Sequence, residues 1–180
     1  LVVDPSSKGS DLLQLVDSND EDLGTATRAE VHAMGLPHRS VHVMVHDGQG
    51  RILLQKRSRW KDTSPGKWDI SVGGHLDPDE SYLEAALREC AEEIGLQVAA
   101  SDLTDLGLHW FLENPLDRER VATWVACSPG PFVPNPGEVD ELRFLAPAEV
   151  DAWIAGGETT PSFASQWRQS LRGWLASTLS

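Results

Sequence analysis

The chain is poor in positive charge. Its 180 residues include 15 lysines and arginines against 28 aspartates and glutamates, a formal net charge of −13. That deficit excludes general nucleic-acid binding, which needs a basic footprint to displace counterions from phosphates. It equally excludes docking on anionic lipid. A phosphorylated substrate stays allowed, because a bound cation reverses the local field. Cysteine is scarce too: Cys90 and Cys127 are the only two. They are too few for a disulfide scaffold and lack zinc-site spacing, so a reduced, cytoplasmic protein is expected. No apolar run approaches membrane-spanning length, and the first residues lack the basic and apolar regions of a signal peptide. No internal repeat or low-complexity tract is present. The remaining composition, 40% hydrophobic and 24% charged, suits one globular domain. Residues 1–11 read as a flexible lead-in and residues 12–180 as that domain.

Hydrophobic periodicity and turn residues divide the chain into elements. Leu12–Val16 and Leu23–Thr27 read as strands joined by a turn, and Arg28–Met34 as a short helix ended by Gly35. Val41, Val43 and Val45 alternate with His42, Met44 and His46 along a strand with one face in the core, and Asp47–Gly50 is a hairpin turn into the next. Trp68–Val72 reads as another short strand. Pro78–Ile94 reads as the best helix, capped by Asp77, with Pro78 at its first position and Gly95 as its stop. Leu83, Leu87, Cys90 and Ile94 would form its buried stripe. Leu103–Phe111, Arg120–Cys127 and Leu142–Leu145 read as strands. Pro147–Ala155 and Ser162–Leu175 read as helices, the last burying Phe163, Trp167, Leu171 and Trp174. This interleaving without regular βαβ units favours an α/β fold with a mixed sheet between helices.

On the long helix Glu89, Glu92 and Glu93 stand at i, i+3 and i+4 and share a face. Like charges so placed repel, and a divalent cation would remove that cost. Mg²⁺ is held by a few carboxylates together with substrate phosphates, and such an ion polarises a phosphoryl group and generates a hydroxide nucleophile. Gly74, Glu80, Arg88, Glu89, Glu92, Glu93, Gly95 and Leu96 fill the pattern G-x5-E-x7-R-E-U-x-E-E-x-G-U, where U is a bulky apolar residue, with Cys90 at the first U. The segment 74–96 therefore resembles the Nudix box of the Nudix hydrolases. The resemblance implies an α/β/α sandwich that cleaves a diphosphate linked to another moiety, using Mg²⁺ or Mn²⁺. It implies Glu89, Glu92 and Glu93 as metal ligands, joined by the Gly73 carbonyl. Arg88 would orient a glutamate. Glu80 has two readings of equal weight: a capping box with Asp77, or support of the metal ligands. Gly74 is expected to give a tight turn. The general base would be a box glutamate or one from a later loop, with Glu138 and Glu141 as candidates.

A wider likeness covers roughly residues 12–175. Leu15-Val16-Asp17, Gly24-Thr25-Ala26, His38, Lys56 to Lys61, Pro65-Gly66-Lys67-Trp68 and Ser71-Val72-Gly73-Gly74-His75 are similar to stretches of type I isopentenyl diphosphate isomerase, a Nudix-fold relative. That likeness implies an alternative, double-bond isomerisation. The isomerase's cysteine acid falls at Gly73, which has no proton to give. Its Glu-x-Glu metal pair has its nearest match at Arg118-Glu119-Arg120, which is not that pair. The intact Arg-Glu-x-x-Glu-Glu run favours hydrolysis. His32, His38 and His75 echo the isomerase's metal ligands, but ordinary hydrogen bonding is the stronger reading for them. Lys56, Arg57 and Lys61 form a local basic cluster suited to clamping a diphosphate, and Trp60 and Trp110 could stack on a base.

The combined reading is an Mg²⁺-dependent Nudix hydrolase, with Glu89, Glu92, Glu93 and Arg88 catalytic and Lys56, Arg57 and Lys61 on the substrate. Its partner is a small-molecule diphosphate, with a nucleotide sugar, a dinucleotide coenzyme and a prenyl diphosphate among the possibilities. A homodimer is left open. The alternatives are the isomerase and a non-catalytic sensor of a nucleotide diphosphate.

Overall fold

The computed structural model describes residues 12–61, 63–114 and 117–178. The expected lead-in, residues 1–11, lies outside the described residues. A nine-stranded mixed sheet organises the rest. Its central strand is β3 (His38–His46), which pairs in parallel along its whole length with β8 (Asp117–Cys127). On its other side β3 pairs antiparallel with β6 (Val72–His75). β1 (Leu12–Val16) joins the start of β3 and carries β2 (Asp22–Thr27) at the edge. β4 (Ile52–Arg57) leaves the far end of β3 through the expected hairpin turn and pairs with β5 (Trp68–Asp69) and β9 (Val139–Leu145). β7 (Leu103–Asn114) forms a long hairpin with β8.

The alternation along β3 and β4 sends successive side chains to opposite faces, so each face carries its own core. Val41, Val43, Val45, Leu53 and Val72 pack against Ala85, Ala86, Cys90 and Ile94 of α2 (Tyr82–Ile94). Met44, Ile52, Leu54 and Val125 pack on the opposite face against Val150 of α3 (Pro147–Ala155) and against Phe163, Trp167, Leu171 and Leu175. The result is the expected sandwich of a sheet between helices. A short helix α1 (Arg28–Met34) closes one end of the sheet, with Thr27 and Glu30 forming a capping box and Gly35 its left-handed stop.

Two helices differ from the sequence reading. α2 begins at Tyr82 rather than at Pro78, because Asp79 sits at φ 65°, which an α-helix cannot accommodate. Ser81 is the cap, completing a capping box with Glu84. The buried stripe shifts accordingly: Ala86, Cys90 and Ile94 are fully buried, while Leu83 is 37% exposed. The C-terminal run is α4 (Pro161–Gln166), a π turn over Trp167–Leu171, and α5 (Arg172–Thr178). Phe163, Trp167, Leu171 and Leu175 are all buried at spacings of four. A four-residue spacing drifts around an α-helix by roughly 40° per step, and the wider π turn counters that drift.

Candidate active site

The site is built where β6 lies against α2. Gly73 N–H donates to Glu93 Oε2 at 3.1 Å, and Gln55 Nε2 of β4 donates to the same oxygen at 2.9 Å. Glu93 is only 3% exposed, so the acidic face of α2 is in part a buried one. Gly74 is not at a turn. It sits within β6, and an added Cβ would fall inside the Glu89 carboxylate. This glycine leaves room for a carboxylate, a steric need rather than a conformational one.

Arg88 holds the arrangement together. Nε and Nη2 reach the two oxygens of Glu80, each at 2.8 Å. Nη1 donates to Glu89 Oε1 at 2.7 Å and to Glu92 Oε2 at 3.4 Å, and Nη2 also reaches the His75 carbonyl at 3.0 Å. Its donors are thus committed within the protein. Glu80 Oε2 also accepts from Asp77 N–H at 3.0 Å, but that bond closes a turn ahead of the helix, which Ser81 caps, so the expected capping box with Asp77 does not form. Burial first, and then the neighbouring Glu93 charge, push the Glu89 carboxyl up to about 8. Burial also pushes Glu93 up, although Lys61, Gly73 N–H and Gln55 pull against it. Two adjacent carboxyls that resist ionisation form a hard-oxygen donor set suited to a divalent cation. The exposed Glu92 side chain stands at the rim, on the same helix face.

The basic residues divide. Lys61 makes an ion pair with Glu138, and both charges act on Glu93. The Ser58 N–H to Glu138 carbonyl bond, 3.0 Å, ties the two loops together. Glu138 is therefore at the site, whereas Glu141 pairs with Arg143 at the surface. Arg57 bonds Asp69 Oδ2, the Thr63 carbonyl and Thr63 Oγ1, each at 3.1 Å, which folds the intervening loop. Lys56 is not brought to the carboxylates. Its neighbour Gln55 points to α2, so Lys56 points to the other face, with Nζ 5.9 Å from the centre of the Trp68 ring.

The NUDIX domain profile matches residues 36–163. A Nudix hydrolase of Yersinia pestis, itself named as uncharacterized, is 36% identical over 140 residues, covering 78% of this chain and 75% of that protein. The chain belongs to the Nudix hydrolase family. In structure, this Nudix hydrolase is similar to the DR0079 protein of Deinococcus radiodurans, with a TM-score of 0.73 and 27% identity over 88% of this chain and 98% of that one. It shares its fold with a bifunctional NMN adenylyltransferase/ADP ribose pyrophosphatase of Francisella tularensis, solved with AMP and a Mn ion. That likeness has a TM-score of 0.57 and 15% identity, over 79% of this chain and 42% of that one.

A second cluster in this Nudix hydrolase lies at the far end of β6. His32, His38 and His75 bring one ring nitrogen each within 4.8 Å of one another, and a ring nitrogen of His38 and a carboxylate oxygen each of Asp117 and Glu119 lie equally close. Asp117 and Glu119, two residues apart on β8, bring the carboxylates to this cluster. His75 Nε2 lies 3.1 Å from Glu119 Oε1 and His75 Nδ1 3.2 Å from Arg28 Nη1. His38 Nδ1 lies 2.9 Å from the Leu36 carbonyl, the ordinary bonding expected of it. His38 Nε2, however, is buried without a hydrogen-bond partner, 3.7 Å from Glu119. Burial holds His75 down at about 3. Burial also opposes the charge on His38, but Glu119 outweighs it and the net shift is upward. Burial likewise opposes the Glu119 charge, but His38 and His75 outweigh it and hold that carboxyl well below its usual range. Imidazoles and carboxylates so gathered fit a first-row divalent cation. Gln55 was not legible as a site residue, because its sequence neighbourhood reads only as strand.

Proposed function

We propose that this Nudix hydrolase cleaves the diphosphate linkage of a nucleoside diphosphate derivative or similar organic diphosphate, using Mg²⁺, with Mn²⁺ as a substitute. The observation that carries this reading is the pair Glu89 and Glu93, largely buried, adjacent and held by fixed donors. Glu89, Glu92 and Glu93, with the Gly73 carbonyl, would hold the cation. When bound, it would supply Lewis-acid activation of the phosphoryl group and of a water.

The chain's own residues do the rest. Arg88 fixes Glu89 and Glu80 and stays off the substrate. Lys61 neutralises charge developing on the phosphates, while Arg57 holds its loop in place through Thr63 and Asp69. Lys56 stands outside this role. Glu138 is the loop carboxylate placed to take a proton, and its ion pair with Lys61 would open as Lys61 turns to phosphate. Trp60 is 53% exposed, beside Lys61 in sequence and with Arg59 over its ring. It supports a nucleoside moiety, since a base stacks on such a ring.

Residues 12–180 are proposed as one hydrolase unit. A cytoplasmic setting belongs to the same proposal, on the two free thiols Cys90 and Cys127. No helix among the described residues is long and apolar enough to cross a membrane.

The reading is tested with Glu93→Gln at saturating Mg²⁺. Hydrolysis should be lost, and retained turnover would refute it. The histidine–carboxylate cluster favours a second reading, placement in the isomerase-like branch. Isomerase chemistry itself is disfavoured at Gly73, where an added Cβ would press on His42 at 3.2 Å. Conversion of isopentenyl diphosphate to its allylic isomer without phosphate release would restore it.

A further inference from the structure

Glu93 is held in an asymmetric way. Gln55 Nε2 and Gly73 N–H both donate to Oε2, at 2.9 Å and 3.1 Å. Two donors engage the lone pairs of that oxygen. Gln55 cannot readily move away. It is 3% exposed and stands mid-strand in β4, opposite Leu142 of β9 on one side and Asp69 of β5 on the other. Gly73 is fixed as firmly, by its register opposite His42 of β3. The lone pairs of Oε1 remain for a cation.

A carboxylate so capped is a one-oxygen ligand. The distinction matters between cations. Ca²⁺ accepts six to eight oxygens and takes carboxylates with one or both oxygens, whereas Mg²⁺ demands compact octahedral geometry. We propose that Gln55 is a positioning residue that restricts Glu93 to Oε1 and thereby biases the site toward Mg²⁺ against Ca²⁺. The proposal rests on the reading of Glu93 as a metal ligand. Removing the Gln55 donor frees Oε2 for two-oxygen coordination, and the bias should shrink.

The test is direct titration of the substrate-free protein with Mg²⁺ alone and Ca²⁺ alone, by calorimetry and thermal shift. The proteins compared are wild type, Gln55→Met and Glu93→Gln. Methionine keeps the length of glutamine and removes the donor. The Mg²⁺/Ca²⁺ affinity ratio should fall about tenfold in Gln55→Met, the low end for one hydrogen bond to a charged group. Glu93→Gln should lose both cations. If Gln55→Met does not fold, Gln55→Asn withdraws the same donor with a smaller polar side chain and carries the same expectation. An unchanged ratio overturns the proposal, whether both affinities hold or both fall equally, because Gln55 then serves only packing. Wild-type affinity in Glu93→Gln, or no cation binding by wild type, refutes instead the reading of Glu93 as a ligand.

Discussion

Stripping the metal should make the protein less stable as the pH rises from 6.5 to 8. The Glu89 carboxyl is pushed up to about 8 by burial first and by Glu93 second, against an ordinary 4.5. The folded chain therefore keeps a proton that the unfolded chain has already lost. Unfolding releases that proton, so stability is full below about pH 4.5, falls as the pH rises, and is lost by about 8. The slope near pH 6.5 is at most about 1.4 kcal/mol per pH unit for one proton, tapering toward 8. Over that window the loss is about 2 kcal/mol, a sizeable part of an ordinary domain's stability. The window avoids His75, whose low pKa of about 3 acts only between there and 6.5, and in the opposite sense. His38, raised above 6.5, adds to the fall. Glu93, raised by burial, adds to it as well, and Glu89→Gln isolates the Glu89 share because it leaves those of His38 and Glu93. The assay is urea unfolding in EDTA at stepped pH, repeated with saturating Mg²⁺. Cation binding displaces the proton, so Mg²⁺ should flatten the slope. A metal-free stability that stays level or rises over this window, or a Glu89→Gln slope equal to the wild type's, would refute the reasoning.

Further expectations follow from the same geometry. Gly74→Ala puts a methyl group inside the Glu89 carboxylate; the flexible side chain should swing aside, at a cost of about 1–3 kcal/mol, and kcat should fall more than tenfold in a steady-state assay while circular dichroism stays native. Arg88→Met leaves Glu80 and Glu89 without their shared partner; thermal melts should show a loss of about 3 kcal/mol, and half-saturating Mg²⁺ should rise. Lys61→Met should raise KM for a diphosphate substrate several-fold, whereas Lys56→Met, on the opposite face, should leave it unchanged. Trp60→Ala should raise KM for nucleoside substrates but not for an aliphatic diphosphate.

The sequence carries its information unevenly. The box was legible because each of its residues meets a local chemical need. Glu89, Glu92 and Glu93 share a face by helical spacing alone, and Gly95 stops the helix in the left-handed conformation that glycine favours. The strand pattern was legible from alternation, but the two-sided core was not: the alternation of Val41, Val43 and Val45 with His42, Met44 and His46 reads as one core face, whereas both faces are buried. The helix start was not, because Ser81–Glu84 and Asp77–Glu80 offer the same capping spacing, and only the backbone at Asp79 separates them. Gln55 was hidden for a different reason. Its role depends on a partner 38 residues away on another element, and nothing in β4 itself announces it. The histidine–carboxylate cluster shows the same limit. Its residues come from α1, β3, β6 and β8, and Asp117 was not read as a member of it. The basic run Lys56, Arg57 and Lys61 reads as one clamp, yet strand alternation turns Lys56 away and the loop fold occupies Arg57.

The most direct measurement is phosphate and nucleotide release from a panel of nucleoside diphosphate derivatives, by wild type and by Glu93→Gln, each with Mg²⁺ and with EDTA. The expected result is Mg²⁺-dependent cleavage of at least one substrate by wild type, abolished both by EDTA and by the substitution. Cleavage that persists without a divalent cation, or in Glu93→Gln at saturating Mg²⁺, would contradict the assignment of these carboxylates as the metal-binding core of the enzyme.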